Sequence, residues 1–232
     1  MKVEIWSDVV CPFCYIGKRK FEQALGQFAH RNEVEVVWKS FQLTPNFEPV
    51  PGESTHRSLA KKKGISEAEA RRMNDHMTQA AKEVGLEYQF DKAIPANTFL
   101  AHQLIHAGAH QGKQDATKER LFAAYYREGE NLNDLDTLLR LGAEVGLDPV
   151  ATRQALEAGT YANEVRRDEY EAQQIGVQGV PFFVFDDKYA VSGAQPSEVF
   201  TEVLDKVWAE EHPRVAPTVV ADGAACDLDG NC

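Results

Sequence analysis

Two cysteines separated by two residues, Cys11-Pro12-Phe13-Cys14, are the part of this chain best equipped for chemistry. Such a pair either carries a dithiol–disulfide couple or supplies half of a zinc site. A zinc site needs two more ligands, usually a second close pair. The only other cysteines, Cys226 and Cys232, stand at the far end of the chain with five residues between them. A buried, inert pair is a further alternative. What favours the dithiol couple is what surrounds it. The apolar run Val3-Glu4-Ile5-Trp6 before the pair reads as a strand, and Ile16, Phe21, Leu25 and Phe28 after it recur at roughly helical spacing. The pair therefore straddles a strand-to-helix junction, with Cys11 at the first turn and Cys14 inside it. Unpaired N–H groups at a helix start favour an anion, so the expectation is a stabilised Cys11 thiolate. In such motifs the reactive thiol falls from about 8.5 into a range of ~3.5–7.5. Cys14, one turn on, is placed to attack a mixed disulfide held on Cys11.

The elements that must hold this junction follow in order. Residues 2–6 form the first strand and residues 14–28 the helix. Glu33-Val34-Glu35-Val36-Val37-Trp38 alternates and then runs apolar, which predicts a second strand, parallel to the first through a right-handed crossover. Residues 47–55 carry prolines and a glycine and read as a loop. Between 54 and 161 only helical patterns appear. Ser66-Glu67-Ala68-Glu69 is a capping-box signature for a helix to about Val84. Further helices are predicted after Asn97, over Lys118–Arg127, after Asn133 or Asp134, and after Asp148-Pro149. Residues 163–174 form a charged helix ending at Gly176. Phe182–Phe185 and Lys188–Ser192 read as a hairpin turning at Asp186-Asp187, and Gln195-Pro196 opens a last helix. The expected fold class is thus α/β with a large all-helical insertion. One unit is built from 1–53 and 162–212, the inserted helical domain spans 54–161, and 213–232 is a flexible tail.

Pro181 stands before a strand, behind the glycine-studded loop Gly176-Val177-Gln178-Gly179-Val180. Combined with the dithiol motif upstream, this resembles the thioredoxin superfamily, in which a cis-proline before the third strand faces the two cysteines. The resemblance narrows to the DsbA family, and within it to a FrnE-like branch. It rests on Asp8-Val9-Val10-Cys11-Pro12-Phe13-Cys14-Tyr15-Ile16-Gly17-Lys18, Phe41-Gln42-Leu43, Asn97-Thr98 with Ala101-His102, Glu128-Gly129 with Asn131, and Gly179-Val180-Pro181-Phe182-Phe183-Val184. The match covers about residues 2–210. It implies a thioredoxin-like fold with Cys11 as nucleophile, Cys14 as resolving thiol and Pro181 as the cis-proline. It also implies that Val180 offers its backbone to a substrate strand, with Pro12 and Phe13 lining the binding surface. The inner dipeptide departs from the Pro-His of periplasmic DsbA proteins, so a histidine that would help the thiolate is absent. The expected potential then lies between about −120 mV for DsbA and about −270 mV for thioredoxin.

Composition limits the alternatives. Net charge is −11 with no basic patch, which argues against nucleic acid. No apolar stretch approaches membrane-spanning length. Met1-Lys2 leads at once into the first strand, so a cytoplasmic location is expected, where cysteines serve catalysis, redox sensing or metals. The expected function is a cytosolic dithiol–disulfide oxidoreductase or isomerase acting on protein or peptide thiols and disulfides. It requires no cofactor, and glutathione is a candidate recycling reductant. Two rivals stay open: a glutathione-dependent isomerase or kappa-type transferase, and a redox- or metal-sensing binding protein. Cys226-Asp227-Leu228-Asp229-Gly230-Asn231-Cys232 could close as a second redox pair or be incidental. His102, His106 and His110 share a helix face at i, i+4, i+8; a partly packed, partly solvated face is favoured over metal ligation.

Overall fold

A computed structural model describes residues 1–213. Cys226, Cys232 and most of the expected tail lie outside the described residues. Four strands form one sheet in the order β2-β1-β3-β4. β1 (Lys2–Ser7) and β2 (Glu35–Ser40) run parallel, with α1 (Pro12–Gln27) between them in sequence. β3 (Phe182–Phe185) is antiparallel to β1, and β4 (Tyr189–Ser192) is antiparallel to β3. Asp186 and Asp187 make the turn with φ of 46° and 56°, and the Lys188 N–H donates to the Phe185 carbonyl at 3.0 Å. Aspartate is among the few side chains that tolerate this left-handed region. α9 (Ser197–Glu211) follows.

The alternation of β1 sorts its side chains onto two faces. Val3 and Ile5 pair with Phe185 and Phe183 and are fully buried. On that face Phe183 packs against Phe21 of α1 and Phe200 of α9, with centroids 5.6 and 4.7 Å away. Trp6 points to the other face, where its Nε1–H donates to the Asp168 carbonyl at 2.8 Å. Asp168 lies on α8 (Ala162–Gln174), which covers this side.

Between β2 and α8 lie α2 (Thr55–Lys63), α3 (Glu67–Glu83), α4 (Phe99–His110), α5 (Gln114–Ala123), α6 (Leu135–Glu144) and α7 (Pro149–Glu157). α4 is the axle. It touches α5, α6, α7 and α8, and every residue from Ala101 to Gly108 is buried. α5 runs into a π-helical turn over Ala124–Glu128. No helix among the described residues is long and apolar enough to cross a membrane.

Several predicted boundaries shift. The second strand runs over Glu35–Ser40, because Arg31–Glu33 winds as a short 3₁₀ turn. Thr98 rather than Asn97 caps α4, although Asn97 Oδ1 accepts the Phe99 N–H at 3.0 Å. α5 starts at Gln114, four residues ahead of the predicted Lys118. The Ser66 capping box forms as read, with the Ser66 hydroxyl accepting the Glu69 N–H and the Glu69 carboxylate accepting the Ser66 N–H. Ser66→Ala is expected to lower stability by about 1 kcal/mol in urea denaturation, the usual worth of such a cap.

The helical block is fastened to the sheet by polar side chains. The Gln114 side chain accepts the Trp38 N–H at 3.0 Å and donates to the Trp38 carbonyl at 2.9 Å, along the outer edge of β2. Asp168 accepts the Ser40 N–H at 2.8 Å on the same edge. Lys18 of α1 is buried and pairs with Glu22, Asp115 and Glu119.

Candidate active site

Cys11 is the N-cap of α1. Its backbone is extended, Pro12 occupies the first turn, and its carbonyl accepts the Cys14 N–H at 3.0 Å. Proline suits this position because no intrahelical donor is lost there. Both cysteines are free thiols. Cys11 is 4% exposed and Cys14 1%, whereas Phe13 between them is 48% exposed and projects outward. Of the two sulfurs, Cys11 is thus the one nearer solvent.

Val180-Pro181 faces this junction. The Val180–Pro181 bond is cis, and the Cys11 thiol donates to the Val180 carbonyl at 3.4 Å. The loop is fixed by Gly193, whose N–H donates to the Pro181 carbonyl at 2.8 Å. Gly17 lets α1 come this close to it: a Cβ there would sit 2.9 Å from Pro181 Cγ. The structure thereby brings together Cys11, Pro12, Phe13, Cys14, Val180 and Pro181, residues separated by some 170 positions in sequence.

The helical block contributes the floor. The Tyr88 hydroxyl donates to the Pro12 carbonyl at 2.7 Å. Burial pushes the Tyr88 phenol well up, so it stays a neutral donor. Its ring stacks on Tyr126 at 4.2 Å, and Tyr15 stacks on Phe122 at 4.6 Å.

Sequence reasoning favoured a thiolate on Cys11, and the geometry opposes it in part. Hydrogen bonding to the Cys14 side chain, burial, and the charge Cys14 would carry together push the Cys11 thiol well above the ordinary range. The Cys14 backbone N–H works the other way.

Behind the dithiol lies a buried charged cluster. Asp8 accepts the Leu43 N–H at 2.8 Å, and His102 Nε2 lies 3.3 Å from its other oxygen. Both side chains are 1% exposed. Burial holds His102 below the ordinary imidazole range; burial is also the largest single influence on Asp8 and pushes it up, but the hydrogen bond and charge of His102, the Leu43 N–H and the charge of Lys118 together outweigh it and hold Asp8 below the usual carboxylate range. The pair is a neutral imidazole donating to an ionised carboxylate. In the unfolded chain His102 binds its proton at about 6.5 and Asp8 at about 3.9, both higher than in the fold. Acidification therefore costs stability, first through His102 below about pH 6.5 and then through Asp8. The melting temperature is expected to fall as pH drops from 7 to 5, with a shallower slope in His102→Gln.

The other histidines of α4 are structural. His106 is buried between Asp168 at 3.1 Å and Glu164 at 3.2 Å, with the Ser40 hydroxyl at 3.0 Å, and His110 is exposed beside Glu164. Among the described residues no group of three histidine, cysteine, aspartate or glutamate side chains is arranged to hold a metal ion.

A cleft of about 570 Å³ opens where β2 ends and α4 begins, lined by Gln42, Asn97, Phe99, Arg166 and Glu169. The Gln42-Leu43 backbone joins it to Asp8 and so to the dithiol. Sequence reasoning missed Tyr88, the partnership of Asp8 with His102, and Lys118, which is fully buried and donates to the Ser7 carbonyl at 3.1 Å. The signal for Lys118 was present: it shares a helical face with Leu121, Phe122 and Tyr125, a stripe that faces inward.

Comparison with known proteins gives the family and the fold. The family model of the DSBA-like thioredoxin domain matches residues 2–205. The uncharacterized protein YwbO of Bacillus subtilis is 30% identical over 206 residues, covering 87% of this chain and 94% of its own. A crystal structure of a probable DsbA oxidoreductase from Streptomyces coelicolor is 39% identical with a TM-score of 0.83, covering 100% of this chain and 98% of that one. The cytosolic disulfide reductase DsbM of Pseudomonas aeruginosa, solved with GSH, shares the fold at 19% identity and a TM-score of 0.61, over 89% of this chain and 98% of that one.

Proposed function

This chain belongs to the family of DSBA-like thioredoxin domains, and on that premise we propose that it is a dithiol–disulfide oxidoreductase acting on protein and peptide disulfides through Cys11-Pro12-Phe13-Cys14. The observation that carries the reading is the contact of the Cys11 sulfur with the Val180 carbonyl, 3.4 Å away, at the edge of a pair otherwise closed from solvent. A substrate strand laid along Val180 exchanges backbone hydrogen bonds with it and takes over the carbonyl that Cys11 occupies in the free protein. Its disulfide then lies against Cys11, beside the exposed Phe13.

In the reducing direction the Cys11 thiolate attacks one substrate sulfur. The substrate S–S bond breaks, a mixed disulfide forms and the first substrate thiolate leaves. Cys14 loses its proton and attacks Cys11; the second substrate thiolate leaves, and the Cys11–Cys14 disulfide carries the two electrons' worth of oxidation. In the oxidising direction a substrate thiolate attacks the Cys11–Cys14 disulfide and the same steps run in reverse. Neither direction needs a metal or an organic cofactor.

Glutathione is the recycling reductant in this reading, and the cytosol the compartment. The structural neighbour DsbM, a cytosolic disulfide reductase solved with GSH, supports both. The intact cysteine pair counts against a kappa-type transferase, which works with a single nucleophile.

The test is equilibration of the full chain with glutathione buffers, followed by insulin reduction. The expected result is one Cys11–Cys14 disulfide per chain, a potential between those of DsbA and thioredoxin, and catalytic turnover. Stoichiometric zinc binding without turnover would replace this reading with a sensing one. Removing residues 214–232 in the same assay tests the tail: an altered potential makes Cys226 and Cys232 a second redox pair, and an unaltered one makes them incidental.

A further inference from the structure

Tyr88 makes a contact that the fold alone does not call for. It lies in the connection between α3 and α4, is buried, and donates its hydroxyl to the Pro12 carbonyl at 2.7 Å. Its ring is held from several sides. Tyr126 stacks on it at 4.2 Å, Tyr15 at 6.2 Å, and Phe90 meets it edge-on at 5.6 Å. The next residue is pinned as well, since the Gln89 N–H donates to the Tyr126 carbonyl at 2.7 Å. The hydroxyl is therefore fixed in place before any substrate arrives. The helical block has other ties to α1 and β2, through Gln114, Asp115 and Glu119. Among the described residues, Tyr88 alone sends a side-chain hydrogen bond from the block into Cys11-Pro12-Phe13-Cys14.

The Pro12 carbonyl shares its peptide group with the Phe13 N–H. Cys11 is the N-cap of α1, and an N-cap side chain faces the N–H groups of the second and third helical residues. Here those residues are Phe13 and Cys14, and Pro12 ahead of them has no N–H. The Cys14 N–H is shared, because its 3.0 Å bond goes to the Cys11 carbonyl. Among the described residues the Phe13 N–H has no backbone acceptor. It is the free donor at the start of the helix. An amide whose carbonyl accepts a hydrogen bond becomes a stronger donor at its own N–H. In the free protein the Cys11 thiol donates to the Val180 carbonyl. A thiolate can only accept, so an ionised Cys11 turns from that carbonyl to the N–H groups of its own helix.

We propose that Tyr88, contributed by the inserted helical block, is a positioning residue for the dithiol: its hydroxyl holds and polarises the Pro12–Phe13 peptide, so that the Phe13 N–H stands ready for the Cys11 thiolate. The inference deepens the reading of the dithiol given above and rests on it. No hydrogen bond joins Tyr88 to either sulfur; it acts through the peptide. The titratable groups within electrostatic reach of Cys11 are Cys14 and Asp8 from the strand–helix junction, and Tyr88, Tyr126 and Lys118 from the block. The cis-proline loop presents the uncharged Val180 and Pro181. Burial keeps the Tyr88 phenol neutral, so Tyr88→Phe removes a hydrogen bond and no charge.

Two measurements on the full chain test this. The first finds the midpoint of Cys11 ionisation from the pH dependence of its alkylation by iodoacetamide, read at the Cys11 peptide by mass spectrometry, and follows the Phe13 amide proton by NMR over the same range. The amide proton is expected to move downfield with the Cys11 midpoint; a Phe13 amide indifferent to that ionisation overturns the proposal. The second compares the Cys11 midpoint in the parent, Tyr88→Phe and Tyr126→Phe. Tyr88→Phe is expected to raise it by about 0.3–0.5 pH units, roughly two- to threefold less thiolate at any pH well below it. Tyr126 lies in the same stack and carries a buried hydroxyl without a hydrogen-bond partner among the described residues, so Tyr126→Phe is expected to leave the midpoint in place. An unchanged midpoint in folded Tyr88→Phe, or an equal shift in both variants, overturns the role of the Tyr88 hydroxyl while leaving the couple standing. A pair that forms no disulfide under oxidant overturns both.

Discussion

A Cys14→Ser chain is expected to stop after the first exchange, with substrate covalently held on Cys11. The geometry leaves no other outcome for a working dithiol. Cys11 reaches the Val180 carbonyl and the outside, whereas Cys14 is 1% exposed beneath it. The substrate sulfur can be met by Cys11, and only Cys14 can then release it from within. A serine hydroxyl in that place holds its proton far too tightly to attack at neutral pH. Multiple turnover should drop by about 10³-fold or more, a barrier increase of about 4 kcal/mol, while the first exchange survives. Mass spectrometry and non-reducing gels read the trapped adduct, and Cys11→Ser, which removes the nucleophile, should show none. An adduct that formed on Cys14, or a Cys14→Ser chain turning over within about tenfold of the parent, would remove the assigned roles.

The second large effect is expected at Gly17. Glycine inside a helix normally weakens it, and replacement by alanine gains about 1 kcal/mol. Here the sign should reverse. An added Cβ meets Pro181 Cγ at 2.9 Å, with Ala194 and Phe183 atoms at 3.5 Å behind it. Pro181 belongs to a closed ring that cannot rotate away, and Phe183 is packed against Phe21 and Phe200. Either α1 or the Val180-Pro181 loop must move. Overpacking of this kind costs about 1–3 kcal/mol, with Gly17→Val at the upper end and Gly17→Ala at the lower. Because the displaced loop carries the carbonyl that meets Cys11, the rate of mixed-disulfide formation should fall along with stability. Gly26 gives the internal control: it lies on the same helix with nothing within 4 Å of an added Cβ. Gly26→Ala should stabilise by about 0.5–1 kcal/mol and leave the rate alone. Urea denaturation of the three variants, alongside the exchange rate, decides it; Gly17→Ala behaving like Gly26→Ala would remove the close-packing argument.

What could be read from the sequence divides along physical lines. The strand–dithiol–helix junction, the capping box at Ser66, the Asp148-Pro149 start and the Asp186-Asp187 turn are local signals, and each lies where it was read. α2 was covered only by the general helical reading of 54–161, since its first turns carry Thr55, His56 and Arg57 without an apolar stripe. α4 resisted a reading of faces because it is surrounded: eight consecutive residues are buried, polar His102, Gln103 and His106 among them. The site was legible where its residues adjoin in sequence. Tyr88 and the partnership of His102 with Asp8 were not, because their roles arise only when the helical block folds back onto β1 and α1. Their chemistry belongs to an interface, and no window of the chain contains one.

The side-chain hydrogen bonds along β2 bear on how this protein behaves at high concentration. A bare outer strand is an open template for another chain, and self-association through such strands is a common route to aggregates. Gln114 fills the donor and acceptor of Trp38, and Asp168 the donor of Ser40, with side chains from the same molecule. On that flank the row of backbone groups a second copy could pair with is interrupted. The opposite margin, β4, is four residues long and leaves little to copy. The helical block and α8 thus do more than surround the dithiol: their side chains also break up the outer edge of the sheet.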